Sequence, residues 1–145
     1  MNLDLSINGL NGSILSGIGD STNLETLQLY NNQLSGSIPS GLDKLTNLVH
    51  LKLFTNKLTG QVSPGIGMGP KIVEFDVSTN DLLGPLPQNV CKGGVLIAFI
   101  AFMNKFNGSL PKFLGDCPSL TSVQVQNNQL SGEVPLGLWS SPLLE

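Results

Sequence analysis

The sequence predicts an α/β-type repeat solenoid, in which six coils of about 24 residues each stack side by side. Three observations predict this fold class: an asparagine that recurs at a constant interval, a glycine that follows it, and a pair of apolar residues that precedes it. The interval between successive asparagines is the same throughout, at Asn8, Asn32, Asn56, Asn80, Asn104 and Asn128. Because the period is unbroken in all six coils, we expect residues 1–145 to form one domain.

Positions in each coil are counted from its asparagine, which is position 0. Apolar residues at −5 and −3 alternate as in a strand with one buried face. These pairs are Leu3 and Leu5, Leu27 and Leu29, Leu51 and Leu53, Phe75 and Val77, Phe99 and Ala101, and Val123 and Val125. Stacking is expected to join the strands into a parallel sheet over one continuous core. The asparagine amide is expected to hydrogen-bond backbone groups of its own coil and of the next coil.

Composition excludes several classes of function. The chain has seven basic residues, all lysines, against ten acidic residues, so we expect neither nucleic acid nor an anionic membrane surface as a partner. The most apolar run, residues 95–103, is less than half of the ~20 residues that a membrane span needs. The N-terminus lacks the features of a signal peptide. Two cysteines are too few for a four-ligand zinc site, and no metal or cofactor is expected.

The stretch NNQLSGSIPSGLDKLTNL, with its L-x-G-x-I-P core, resembles the plant-type leucine-rich repeat. The resemblance covers essentially the whole chain. It implies a right-handed leucine-rich-repeat superhelix, with a parallel β-sheet on the concave face, a short second sheet and an irregular or 3-10 helical convex side. The Ile-Pro step of the repeat is missing at Ile14-Leu15 and Val62-Ser63, so the second sheet is expected to be irregular there.

The stretch NVCKGGVL, followed by LGDCPSL, resembles the C-x-G-G and C-x-S-L passage in ectodomains of the HAESA-like group of plant receptor kinases. The resemblance implies non-catalytic recognition of a secreted peptide or protein on the concave face, with a co-receptor as a candidate second partner. Many members carry an Arg-x-Arg pair that captures the ligand's C-terminal carboxylate. Ser122 and Gln124 occupy those positions in this chain. We therefore expect a different ligand, or a segment that binds elsewhere along the peptide.

Strand alternation also predicts the exposed side of the first sheet. If −5 and −3 point inward, then −6, −4 and −2 point outward, with −1 beside them. Ile100, Phe102 and Met103 occupy outward positions that are mostly polar in neighbouring coils. Such an apolar patch marks a contact surface, unless a neighbouring loop covers it or this copy has drifted. The predicted ligand-binding residues are Tyr30, Lys52, Phe54, Glu74, Asp76, Ile100, Phe102, Met103, Gln124 and Gln126.

The charged residues of this set leave two alternatives open. His50 and Lys52 lie one coil from Glu74 and Asp76, and the four either pair with one another or read a charged ligand. Thr26, His50 and Glu74 share one column, but an open sheet offers no pocket or oxyanion hole, so an enzyme is not expected. Six strands cover about 24 Å, which corresponds to about seven residues of an extended peptide.

The two cysteines and two sequons bear on the compartment. Cys91 and Cys117 are expected on the convex side of adjacent coils, either bonded to each other or as buried free thiols. Asn11 and Asn107 each begin an Asn-Gly-Ser sequon and are the candidate glycosylation sites. Both features would fit a secreted compartment, and the resemblance implies the extracellular face of the plasma membrane, as part of a longer receptor.

Neither end of the chain shows the polar cap that a solenoid needs. Met1 lies at the edge of the first strand, and Leu144 occupies the first apolar position of a seventh coil. We therefore expect a segment of a longer receptor that supplies the signal peptide, the membrane span and a serine/threonine kinase domain, whose motifs are missing from these residues. One alternative is a stand-alone secreted inhibitor like the plant polygalacturonase-inhibiting proteins, and another is a truncated fragment without activity.

Overall fold

The computed structural model describes residues 1–141 and 143, so Leu144 lies outside the described residues. Two six-stranded parallel sheets run along the chain. In chain order the strands are β1 (Asn2–Asp4), β2 (Asn11–Ser13), β3 (Thr26–Gln28), β4 (Gln33–Ser37), β5 (His50–Lys52), β6 (Lys57–Gly60), β7 (Glu74–Asp76), β8 (Asp81–Pro85), β9 (Ala98–Ile100), β10 (Lys105–Gly108), β11 (Ser122–Gln124) and β12 (Gln129–Leu130). Odd-numbered strands form the first sheet and even-numbered strands the second.

The first sheet confirms the predicted solenoid and its register. Each residue pairs with the residue one period later, as Leu3 does with Leu27 and Phe75 with Phe99. The convex side carries 3-10 helices at Ser16–Asp20 and Ser40–Lys44 and single α-helical turns at Phe113–Asp116 and Leu136–Trp139. None of the helices within residues 1–141 has the length and apolar character that a bilayer span requires.

The second sheet corrects the expectation of irregularity in coils one and three. The sheet is continuous through both coils, where β2 has three residues and β6 has four. Strand β10, whose coil keeps a Leu-Pro step, also has four residues. The length of a strand in this sheet therefore does not depend on whether its coil has the proline. In coil three the Ser63 hydroxyl donates a hydrogen bond to Asp43 and accepts one from the Gly65 N–H at 3.2 Å. These bonds hold the corner where coils two, four, five and six have proline.

The core runs between the two sheets. The predicted inward residues of coils two to five are all buried, with exposed fractions of at most 6%. In coil one Leu5 is 42% exposed, because only one neighbouring coil packs against it in the structure. The largest buried side chains include Phe75 and Phe99, which stack with ring centroids 5.5 Å apart, and Phe113 meets Phe99 edge-on at 5.5 Å. This aromatic cluster fills coils four and five.

The asparagine ladder runs opposite to the predicted direction. From Asn32 onward, each amide bonds its own coil and the preceding coil, not the next one. Asn104, for example, donates from Nδ2 to the carbonyl oxygens of Ala101 and of Val77, one coil earlier, and its Oδ1 accepts the N–H of Leu82 at 3.0 Å. Asn8 bonds only the Leu5 and Ser6 carbonyls of its own coil. The asparagine of each later coil therefore completes the hydrogen bonds of the turn before it.

Two left-handed positions frame each turn. The glycine at +4 has φ between 74° and 84° in all six coils, and a Cβ on Gly84 would lie 2.7 Å from the Gln61 side chain. The residue at −1 is also left-handed in every coil although it is never glycine, with φ of 55° at Thr55 and 52° at Met103. The repeated backbone, and not the local side chain, imposes this conformation.

A disulfide joins the convex loops of coils four and five. Cys91 and Cys117 have Cα atoms 6.0 Å apart, and each residue is 8% exposed. The described residues contain no free cysteine. The bond closes a loop of 26 residues and so ties the aromatic coil five to coil four.

Candidate functional site

The candidate site is the concave face, which the outward side chains of the first sheet form. Along the −2 column, Tyr30 and Phe54 stack with ring centroids 4.4 Å apart and planes 9° from parallel. Ser78 comes next and is only 2% exposed, and Phe102 follows in coil five. The column is therefore an aromatic surface interrupted by one buried serine.

Coil five presents an apolar strip across this face. Ile100 and Phe102 are partly exposed, and Met103 is 49% exposed, so no loop among the described residues buries the patch. Val95 and Ile97, which precede β9, are also exposed, at 37% and 45%. These two residues were not predicted, because strand alternation gives them the same parity as the inward Phe99 and Ala101.

A charged cluster lies beside the aromatic column. Glu74 Oε2 lies 2.9 Å from His50 Nδ1 and 3.0 Å from Lys52 Nζ. Burial by itself would raise the pKa of Glu74, but the hydrogen bond and charge of Lys52, with help from His50, hold it below its ordinary value. Glu74 therefore pairs with His50 and Lys52, which is the first of the two alternatives given for the charged residues. The cluster borders a polar depression lined by Asn2, Thr26, Gln28, His50, Lys52 and Glu74.

Asp76 stands apart from this pairing. One of its oxygens, Oδ1, accepts the Ser78 N–H at 3.0 Å and the Ser78 hydroxyl at 2.7 Å. Asp4 makes the same two bonds to Ser6 in coil one. The hydrogen bonds lower the pKa of the exposed Asp4, whereas burial outweighs them at Asp76 and raises its pKa. The same local sequence thus gives opposite shifts, because only Asp76 is partly buried by its surroundings.

We expect Asp76→Asn to raise the free energy of unfolding at neutral pH. A carboxyl whose folded pKa is raised destabilises the fold once pH exceeds its ordinary value of 3.8, and asparagine can still accept the Ser78 bonds. Asp4→Asn is the matched control. It should lower the free energy of unfolding at pH 7, because a carboxyl with a lowered pKa stabilises the fold above its ordinary pKa. Urea unfolding at pH 7 and pH 3 measures both variants. The gain at Asp76 should vanish at pH 3, and a gain at both pH values would contradict the prediction.

The structure separates the other predicted residues. Gln124 and Gln126 are exposed in coil six, and Gln124 Nε2 lies 3.5 Å from the Ser122 hydroxyl. Asn11 and Asn107 are exposed on strands of the second sheet, away from the concave face. The described residues contain no group of three or more His, Cys, Asp or Glu side chains that could hold a metal ion. The concave geometry offers surface contact rather than an enclosed reaction site.

Comparison with known proteins identifies the fold family. The leucine-rich repeat pattern, in two copies, matches residues 22–64. The crystal structure of a TDR receptor superimposes with a TM-score of 0.95 and 41% identity, covering 99% of this chain and 25% of the receptor chain. The chain is a leucine-rich-repeat solenoid. No curated protein sequence matches it.

Two further ectodomain structures resemble this leucine-rich-repeat solenoid. The plant peptide hormone receptor RGFR1, in complex with RGF2, has a TM-score of 0.93 and 33% identity over 98% of this chain and 23% of its own. The Arabidopsis receptor kinase HAESA, with the peptide hormone IDA and the co-receptor SERK1, has a TM-score of 0.68 and 31% identity over 99% of this chain and 32% of its own. The chain thus spans about a quarter to a third of these three receptor structures. The ectodomain fold is non-catalytic.

Proposed function

We propose that this leucine-rich-repeat solenoid is an extracellular segment of a plant receptor-like protein kinase and recognises a secreted peptide or protein on its concave face. The observation that carries the proposal is the apolar strip of coil five, which lies on the open sheet in line with the stacked Tyr30 and Phe54. Solvent-facing aromatic and methionine side chains of this kind are favoured anchors for a partner.

The relatives support the class of ligand. RGFR1 and HAESA are each solved with a peptide hormone, and HAESA also with a co-receptor. The six strands of the concave sheet are together long enough to contact about seven residues of an extended peptide. The proposed contacts are Tyr30, Phe54, Ile100, Phe102 and Met103 as anchors, and Lys52, Glu74, Asp76, Gln124 and Gln126 as residues that set the register. A co-receptor is the proposed second partner.

The extracellular location rests on two features. Asn11 and Asn107 are exposed within their sequons, so a glycan could be attached without unfolding either strand. The Cys91–Cys117 disulfide is of the kind that persists in oxidising compartments. Both sequons lie on the second sheet, so glycans there would leave the concave face open to a ligand.

Peptide selection tests the proposed function. A random heptapeptide library would be selected against the immobilised chain, and enriched peptides would be synthesised and their affinities measured by calorimetry. We expect Phe102→Ala and Ile100→Ser each to weaken binding by about tenfold or more, because anchors of this kind contribute at least ~1–2 kcal/mol.

Leu83→Ser is the matched control for these variants. Leu83 is 43% exposed, but it lies in β8 of the second sheet, so its loss should leave peptide affinity unchanged. Urea unfolding confirms that each variant remains folded. Equal affinities for Phe102→Ala, Ile100→Ser and the unmodified chain would contradict a concave binding site.

A further inference from the structure

We infer that Asp76 binds a lysine or arginine of the ligand. An apolar ligand residue two positions away from this cation then packs on Ile100 and Phe102. The inference rests on the proposed function and specifies the chemistry of the same face. It follows from three observations: the place of Asp76 in the sheet, the pairing of its neighbours, and the spacing of coils four and five.

Asp76 lies at the boundary between the polar and the apolar part of the concave face. In the sheet register it pairs with Lys52 on one side and with Ile100 on the other. The coils before it carry polar or charged residues at −6 and −4, whereas coil five carries Ala98 and Ile100. A ligand group over Asp76 therefore lies next to the apolar strip, where less water competes for the carboxylate.

The cations nearest to Asp76 are already engaged. Lys52 Nζ and His50 Nδ1 both contact the same oxygen of Glu74. No lysine or histidine nitrogen among the described residues lies within 4.0 Å of the Asp76 carboxylate. Ser78 occupies Oδ1, and no hydrogen bond of the described residues involves Oδ2. Asp76 thus offers one uncommitted oxygen on a partly buried anion, which an incoming cation would neutralise.

The spacing of the sheet sets the ligand pattern. Neighbouring strands lie about 4.8 Å apart, so Asp76 and the apolar strip are about one strand spacing apart. In an extended peptide, side chains on one face recur every second residue, at about 6.6 Å. A cation and an apolar residue at i and i+2, in either chain direction, match these two subsites best. An acidic residue at the first position would meet Asp76 and Glu74 and be repelled.

The heptapeptide selection described above also tests this inference. We expect enriched peptides to carry Lys or Arg two positions from Leu, Ile, Phe or Met. Asp76→Asn, which can keep the Ser78 bonds, should weaken binding of a synthetic enriched peptide by about tenfold or more, and Asp76→Lys should shift selection toward acidic residues. Asp4→Asn is the control, because Asp4 makes the same serine bonds in coil one, far from the apolar strip.

The outcomes separate the inference from the proposed function. If Phe102→Ala weakens binding while Asp76→Asn and Asp4→Asn leave it unchanged, or if enriched peptides lack a cation, the inference is overturned and the concave site stands. If the unmodified chain enriches no peptide beyond those enriched by the Ile100→Ser variant, both are overturned. Loss at Asp76→Asn together with the cation pattern supports the inference.

Discussion

Phe99→Ala lowers the free energy of unfolding by about 4 kcal/mol, within the usual range for removing a buried phenylalanine. Phe99 is fully buried and contacts two other rings, the stacked Phe75 and the edge-on Phe113. Alanine would leave a cavity that rigid strands on both sides cannot close, since each strand is fixed by its own ladder of hydrogen bonds. Urea unfolding of the chain measures the loss.

The control for this prediction is Phe99→Leu, since leucine stands at the same position in coils one to three. We expect it to cost about 1–1.5 kcal/mol, because most of the buried volume is kept. Similar losses for Ala and Leu would show that the aromatic contacts, rather than the filled volume, stabilise coil five. A loss below about 1 kcal/mol for Phe99→Ala would contradict the packing described above.

Asn104→Ala lowers the free energy of unfolding by about 3 kcal/mol. The substitution leaves the N–H of Leu82 without an acceptor and removes the Nδ2 bonds to Ala101 and Val77. Asn104 is 9% exposed, so water cannot replace all of these bonds. An orphaned buried group costs about 1–3 kcal/mol, and each further lost bond adds about 1 kcal/mol.

Asn8→Ala is the internal control for the ladder. Asn8 is exposed and bonds only two carbonyls of its own coil, so we expect a loss below about 1 kcal/mol. Chemical denaturation of the two variants side by side gives the difference. Equal losses would mean that the bonds to the preceding coil contribute nothing, and that the asparagine acts only within its own turn.

The constant period was enough to predict which side chains of the first sheet face inward in coils two to five. Strand alternation has only two registers, and a stacked sheet repeats the chosen register in every coil. The period could not predict the direction of the asparagine bonds, because the preceding and following coils are equally distant along the chain. That choice depends on how the turn is tilted, which is a property of the folded coil.

Local sequence also could not predict the environment of individual charges. Asp4 and Asp76 share the pattern Asp-x-Ser and the same hydrogen bonds, yet their pKa shifts have opposite signs because only Asp76 is partly buried. Likewise Ser63 departs from the repeat in sequence, whereas Asp43 of the previous coil supplies its partner in the structure. Such compensation is visible only across coils.

The direction of the asparagine ladder has a consequence for synthesis. The Leu10 N–H and the Leu5 carbonyl of coil one are bonded by Asn32, which belongs to the next coil and leaves the ribosome later. The same holds for Leu34 and Asn56, and for Leu58 and Asn80. A nascent coil therefore keeps open backbone groups until its successor emerges and closes it. Each coil of the folded solenoid is therefore completed by the coil that follows it in the chain.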